Sequence, residues 1–352
     1  MEAPNFKKAG ILALILVVIV IGCWELYLRH NGYDIAYDDG EGLWADKRAM
    51  VDEPIDKATV FIGSSRNKYD IDIDTWQSMT GDHAIQLALE GDSPLPVLDD
   101  LSADKKFKGK VIVDVTERLF FTTRSSNVDE PKEMVAYFKE RTPAQRFSFL
   151  VNHVLESQFV FLDKNNFSLY AILEKLNVTK RKGAFAEPYE YPIEAGRITF
   201  DRQNIMMDKF LTDTILRNHV KAIWNFYEKR NKELPPTGTR LDSFLIAIKT
   251  SCDKIKSKGG DVLFVRTPSA GFMLDGENKN FPKDKYWDRL LNFTNCKGIH
   301  FADYNALNNF KIPEFSHLGR PDAIIWTRNL IQILQQEKGW TFSNTQTVSK
   351  IN

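Results

Sequence analysis

The sequence predicts an α/β fold: a parallel sheet of about five strands with helices on both faces, interrupted by a helical insertion. Three observations predict it. Five short apolar runs end in turn residues, segments with helical spacing lie between them, and a long uncharged run stands ahead of the whole. The apolar runs are Ala58–Ile62, Ala84–Leu89, Lys110–Val115, Val262–Val265 and Ile299–Ala302. Their near-continuous apolar character suits strands buried on both faces. Ahead of the fourth run, Leu241–Ile255 carries Leu241, Phe244, Leu245, Ile248, Cys252 and Ile255 on one face of a helix. A final helix is expected from about Pro321 to Gln336. Pro321 suits its first turn, and Ile324, Ile325, Leu330 and Ile333 give it an apolar face. Residues 120–240 break the alternation. They are rich in Phe and Tyr, carry helical patterns such as Ile205–Tyr227, and read as a helical insertion or cap between the third and fourth strands.

The bulk composition narrows the function. The chain has 352 residues, enough for one large domain or two small ones. With 43% hydrophobic residues and 24 Phe it can bury a core, which excludes a disordered chain. Lys plus Arg equals Asp plus Glu at 47 each, so there is no basic excess for nucleic acid. There is no Gly-rich phosphate loop and no CxxC pair, so no nucleotide cofactor and no structural metal are expected. Of the three cysteines, Cys23 lies in the N-terminal apolar run. Cys252 and Cys296 are either a disulfide, in an oxidising compartment, or two separate buried thiols.

The N-terminus reads as a membrane segment. Ala9–Trp24 carries no charge, and Leu26, Tyr27 and Leu28 extend it past Glu25. As a helix, Ala9–Leu28 would span about 30 Å at ~1.5 Å per residue. Lys7 and Lys8 precede it; Arg29, then Asp34, Asp38, Asp39, Glu41 and Asp46 follow. The positive flank stays in the cytoplasm, so the remainder is expected outside, in a periplasm or at the cell surface. Two other readings stay open: a lipoprotein site at Val20-Ile21-Gly22-Cys23, and a cleaved signal peptide. The expected boundaries are 1–29 for the anchor, 30–56 for an acidic, irregular stalk, 57–340 for the α/β domain and 341–352 for a tail.

Active sites of parallel sheets lie at the carboxyl ends of the strands. The first run is followed at once by Gly63-Ser64-Ser65-Arg66. A tight turn there into a helix would put a serine hydroxyl at the sheet edge, beside backbone N–H groups suited to a developing oxyanion. A serine nucleophile needs a base. Of the six histidines, His30 flanks the membrane run, His153 and His219 fall in the insertion, His83 begins a strand and His300 sits in one. His317 lies in the loop Pro313–Gly319 before the last helix, a loop that opens onto the same edge as Ser65. Glu314 stands three residues ahead of it, a spacing that lets a carboxylate reach the imidazole and fix its tautomer.

In order and spacing these pieces resemble the SGNH/GDSL hydrolase superfamily. Gly63-Ser64-Ser65 is similar to its first block, Gly-Asp-Ser, which puts the nucleophile on Ser65. The stretch Gln86–Gly91 is similar to its second block, and the resemblance implies that the Gly91 N–H joins that of Ser65 in the oxyanion hole. Glu314-Phe315-Ser316-His317 is similar to its last block, Asp-x-x-His, with Glu for Asp. The likeness covers about 58–336, and the stretch from Phe315 to Ala323 is its most specific part. It implies a three-layer α/β/α, flavodoxin-like sheet. The N-terminal anchor and the GSSR-type first block resemble a group of membrane-anchored envelope members of the superfamily, among them the D-alanine transfer proteins of teichoic-acid modification. The chain departs from the pattern at Ser64, at Glu314, and at the third block, Gly-x-Asn-Asp. Thr116-Glu117-Arg118 stands there, so the oxyanion Asn has no counterpart. The literal Gly91-Asp92-Ser93 is a competing first block, but no second-block Gly follows it.

Arg66 and Arg266 are candidates to hold an anionic group of a substrate, against structural ion pairs with nearby acids. The loop Ser269–Met273 is a candidate pocket wall. Three glycosylation triplets, at Asn166, Asn177 and Asn292, carry no meaning in a bacterial chain. The reading that follows is a membrane-anchored serine esterase or O-acyltransferase. Its expected partner is an acylated envelope glycan or another ester, with no cofactor. The alternatives are a non-catalytic anchored scaffold and a lipase acting on nearby lipid.

Overall fold

The apolar runs become strands β1 (Ala58–Ile62), β2 (His83–Gln86), β3 (Lys110–Asp114), β4 (Asp261–Arg266) and β5 (Lys297–His300). They form one parallel sheet in the order β2-β1-β3-β4-β5, giving an α/β fold. The computed structural model describes residues 6–53, 57–122, 124–174, 190–230 and 233–344. The helices used below are α1 (Phe6–His30), α2 (Ser65–Asp70), α3 (Pro143–Glu156), α4 (Thr214–Arg230), α5 (Gly238–Ser257) and α6 (Arg320–Gln336).

Successive strand residues face opposite sides, so each strand feeds two cores. Val60, Val111, Val113 and Phe264 pack on one face with Leu245, Ile248 and Cys252 of α5. Phe61, Ile112, Leu263 and Val265 pack on the other with Ala323, Trp326 and Leu330 of α6. Burial on both faces is why the strands read as unbroken apolar runs.

The expected boundaries shift in places. β2 ends at Gln86, although Leu87 and Leu89 still donate to Phe61 O and Gly63 O. β5 spans Lys297–His300, and Phe301–Asp303 is a short 3₁₀ turn capped by the His300 ring, which accepts the Ala302 N–H. On α6, Trp326 carries the buried face and Ile325 points outward. The insertion is mostly helical but includes an antiparallel pair, Arg197–Ile198 with Asn204–Ile205.

The chain divides into two compact units, Met1–Asp38 with Pro143–Glu187, and Asp39–Thr142 with Pro188–Asn352. The insertion is thus shared between them rather than belonging wholly to the α/β domain. The irregular stalk over 30–56 is also corrected. Glu41–Ala49 is a helix whose Trp44 and Ala45 are fully buried, and Trp44 Nε1 donates to Leu87 O at 3.1 Å. The acidic Asp39 is not a solvated stalk residue: it accepts from buried Arg202 and from buried Lys68. Thr341–Asn344 of the tail is packed, with Lys110 Nζ donating to Thr341 O, while 54–56, 345–352 and the triplet at Asn177 lie outside the described residues. In the first unit, α1 is apolar, exposed except at Glu25 and Leu28, and long enough to be a membrane anchor or a signal sequence.

Cys252 on α5 and Cys296 ahead of β5 are free, buried thiols of one core. Their shared hydrogen bond pushes Cys252 up and Cys296 down. A disulfide between them would close a loop of roughly 45 residues and stabilise the fold by about 4 kcal/mol. Treatment with diamide should lower the thiol count of the denatured protein from three to one, and Cys296→Ser should prevent that fall. Three titratable thiols after oxidation would contradict the contact.

Candidate active site

The turn after β1 is built around one buried carboxylate. Asp114, at the end of β3, accepts from Ser64 Oγ at 2.9 Å, from Ser64 N at 3.3 Å and from Thr116 Oγ1 at 2.9 Å. The approach is so close that a Cβ on Gly63 would sit 2.5 Å from Asp114 Cβ, so only glycine fits. Ser64 is spent as the N-cap residue of α2, and Ser65, the next residue, is the partly exposed one. Burial pushes the Asp114 carboxyl up, and these donors and Arg66 only partly pull it back.

His317 Nε2 lies 2.8 Å from Ser65 Oγ. On the far side of the ring, Nδ1 lies 2.8 Å from Glu314 Oε1. That second contact is close but bent: it has ion-pair distance without the alignment of a full hydrogen bond. Glu314 is fully buried and held at both oxygens. Oε1 also accepts the His317 N–H at 2.7 Å, and Oε2 accepts from Trp224 Nε1 of α4. The chain reverses at Phe315, whose φ of +79° lies in the left-handed region. That conformation costs a non-glycine residue about 1 kcal/mol or more. It is tied down by Ala270 N–H donating to Phe315 O at 2.9 Å and by the Phe272 ring, 5.2 Å from that of Phe315. Gly271, whose absent Cβ would meet the Phe315 ring at 2.8 Å, leaves room for it. The loop Ser269–Met273 therefore supports the Glu314–His317 turn.

α2 grips the same turn. Tyr69 stacks on the His317 ring, with centroids 4.4 Å apart. Its hydroxyl donates to Ala195 O, and a Cβ on Gly196 would collide with it at 2.2 Å. Asp70 Oδ1 accepts the Leu318 N–H at 2.8 Å, and Arg66 Nε donates to Ser316 Oγ at 3.4 Å. Burial raises the Asp70 carboxyl to about 7, against the pull of His317, Leu318 N–H, Thr267 and Arg66.

The two candidate anion-binding arginines are buried. Arg66 pairs with Glu277 at 2.5 Å. Arg266 pairs with Glu117 at 3.0 Å and with the other oxygen of Glu277, and also donates to Thr267 O and Ser269 Oγ. Burial alone would raise Glu277, but Arg266 and Arg66 overcome it and hold the carboxyl at about 2. Arg266 is the hub of an internal ion-pair cluster, and its guanidinium faces carboxylates on both sides. Gly91 has a φ of +76°, which glycine tolerates, and its carbonyl accepts from Asn127 Nδ2 at 2.7 Å. The Leu89 N–H to Gly63 O bond, 3.0 Å, ties the Gly91 loop to the Ser65 turn. The competing Ser93 is buried; its Oγ accepts the Leu95 N–H at the start of a helix.

Three of the other described histidines have other work. His83 contacts Glu53, His219 contacts Glu190 O, and His300 is held down to about 3 by burial, Arg266 and Lys283. Sequence reasoning missed Trp224, Tyr69, Asp70 and Asp114. Tyr69 stands one helical turn after Ser65, and Asp114 ends a parallel strand; both positions carry a signal. Nothing in the spacing marks Trp224.

No protein-family model matches the chain, and no curated protein matches it. What the site can do therefore rests on its own geometry: a serine hydroxyl, an imidazole on it, and a fixed carboxylate behind the imidazole.

Asp70 makes stability depend on pH. Its carboxyl titrates near 3.8 in the unfolded chain and near 7 when folded, so between those values the folded protein holds a proton that the unfolded chain has released. Stability from this group is full below about pH 4 and is lost as pH rises to about 7. Asp70→Asn keeps an acceptor for Leu318 and removes the titration. In urea unfolding, the variant should gain on the parent between pH 5 and pH 8 by on the order of a few kcal/mol. Parallel pH profiles would contradict the assignment. Asp92, also raised to about 7 by burial and Glu130, is present in both proteins and cancels.

Proposed function

We propose that this chain is a membrane-anchored serine ester hydrolase or O-acyltransferase of the SGNH/GDSL type. The observation that carries the reading is the contact of Ser65 Oγ with His317 Nε2 at 2.8 Å, with Glu314 at 2.8 Å on the other ring nitrogen. The order of the site residues along the chain supports it, as does the strand order, which is that of a flavodoxin-like three-layer fold.

In this reading Ser65 Oγ attacks the ester carbonyl and gives its proton to His317 Nε2. Glu314, whose second oxygen is occupied by Trp224, holds the ring and stabilises the imidazolium. The N–H groups of Ser65 and Gly91 receive the oxyanion. His317 then protonates the departing alcohol. The acyl group on Ser65 passes to water or to a second hydroxyl, with His317 taking that proton in turn. The positive flank of α1 stays in the cytoplasm and the folded part lies outside. An outward-facing anchored enzyme of this chemistry meets acyl groups on envelope polysaccharide, and that is the substrate class we assign. The buried pairing of Arg66 and Arg266 with Glu277 supports a role in holding the floor of the site rather than a substrate anion.

A second reading, a non-catalytic anchored scaffold, draws on one observation. Thr116, where the superfamily's oxyanion Asn block falls, has its hydroxyl tied to Asp114 and Ser64. The loss of one oxyanion donor slows such enzymes by ~10²–10³-fold.

A fluorophosphonate probe separates the two. The full-length protein should be labelled on Ser65, Ser65→Ala should abolish labelling, and His317→Ala should slow it by ~10³-fold or more. Glu314→Gln should lower ester turnover by ~10²–10⁴-fold. Faster turnover of short acyl esters than of long ones fits a polysaccharide acyl group, and the reverse preference points to membrane lipid. No labelling of the folded protein would leave the scaffold.

A further inference from the structure

Helix α3 (Pro143–Glu156) is built the wrong way round for water. Phe147, Leu150, Val151, Val154 and Leu155 form an apolar stripe along one side, and each is between 44% and 68% exposed. Phe149, His153 and Glu156, on the opposite side, are the partly covered residues. A surface helix of a soluble protein turns its apolar stripe to the core. The short helix Leu169–Glu174 of the same unit adds Leu169 and Leu173, also exposed.

The position of α3 relative to α1 says what covers the stripe. Both belong to one compact unit. Glu25, near the C-terminal end of α1, accepts the N–H groups of Val160 and Phe161 at 3.0 and 3.1 Å and Arg29 Nε at 2.6 Å. Arg29 Nη2 donates to Gln158 O at 3.0 Å. Trp24 stacks on Tyr27 and meets Phe167 edge-on, so an aromatic group gathers at this end of the span. Trp and Tyr mark the bilayer–water boundary. At its end, α3 runs through Ser157, whose N–H donates to His153 O, into Gln158, which Arg29 holds. The stripe therefore starts from the level at which α1 leaves the lipid.

We propose that α3 lies in the outer surface of the bilayer, with the stripe from Phe147 to Leu155 sunk among the lipid chains beside α1. Its composition, Phe, Leu and Val on one arc with Arg146 and Asn152 off it, suits an interfacial helix. The first unit then holds the membrane at two places, a span and a helix lying flat. This rests on the reading of α1 as an uncleaved anchor.

Spin labels test it in the full chain, in vesicles of phosphatidylcholine and phosphatidylglycerol and in a Cys23→Ser background. Leu150→Cys, Val154→Cys, Asn152→Cys and Val17→Cys are labelled singly, and collision with oxygen is compared with collision with a nickel chelate. The expected result is lipid-like accessibility at 17, 150 and 154, and a several-fold shift towards the nickel chelate at 152. Lipid-like Val17 with water-like Leu150 and Val154 would overturn the proposal while keeping the anchor. Shielding of 150 and 154 from both probes would overturn it in favour of a protein partner or second copy. A water-like Val17 would bring down the anchor reading itself, and the proposal with it.

Discussion

One turn of helix, α2, organises this site. Its first residue is Ser65, and three of the next five side chains reach the 316–318 turn: Arg66 to Ser316, Tyr69 to the His317 ring and Asp70 to Leu318. The candidate nucleophile and the grip on its base thus share one rigid element. What fixes α2 is the Asp114 carboxylate, which binds Ser64 from below and presses so close to Gly63 that no side chain fits there.

The same logic explains where polar groups are buried. Glu314 is completely enclosed, which is costly for a carboxylate unless its oxygens are bonded. The His317 backbone N–H serves one oxygen, with Nδ1 close beside it, and Trp224 serves the other. Beneath, Arg66, Arg266, Glu117 and Glu277 neutralise one another in a closed cluster. Buried ion pairs of this kind add little net stability, but removing one partner leaves a charge stranded. They make the floor of the site rigid.

Much of this was legible in the sequence, for physical reasons that differ by residue. The strands were readable because burial on both faces demands unbroken apolar runs. Ser65, Glu314 and His317 were readable because strand-end turns and a three-residue spacing restrict what can meet. Trp224 was not, because it reaches Glu314 from a helix 90 residues away and its own neighbourhood reads as an ordinary amphipathic pattern. Asp39 read as part of an acidic stalk because its partners, Lys68 and Arg202, are distant in sequence. The exposed stripe of α3 has the same periodicity as a core-facing one; period alone cannot tell which side is outward. The contacts of the Thr116 hydroxyl with Asp114 and Ser64 were not legible, because its partners come from the turn after β1 and the end of β3.

The central claim is that Ser65 forms a covalent acyl intermediate. Mixing the full-length protein with a short acyl ester, quenching in acid and mapping the peptides by mass tests it most directly. The account predicts that the peptide carrying Ser65 gains the mass of the acyl group, and that Ser65→Ala abolishes the adduct. Ester turnover with an unmodified Ser65 peptide, or an adduct that survives in Ser65→Ala, would contradict it.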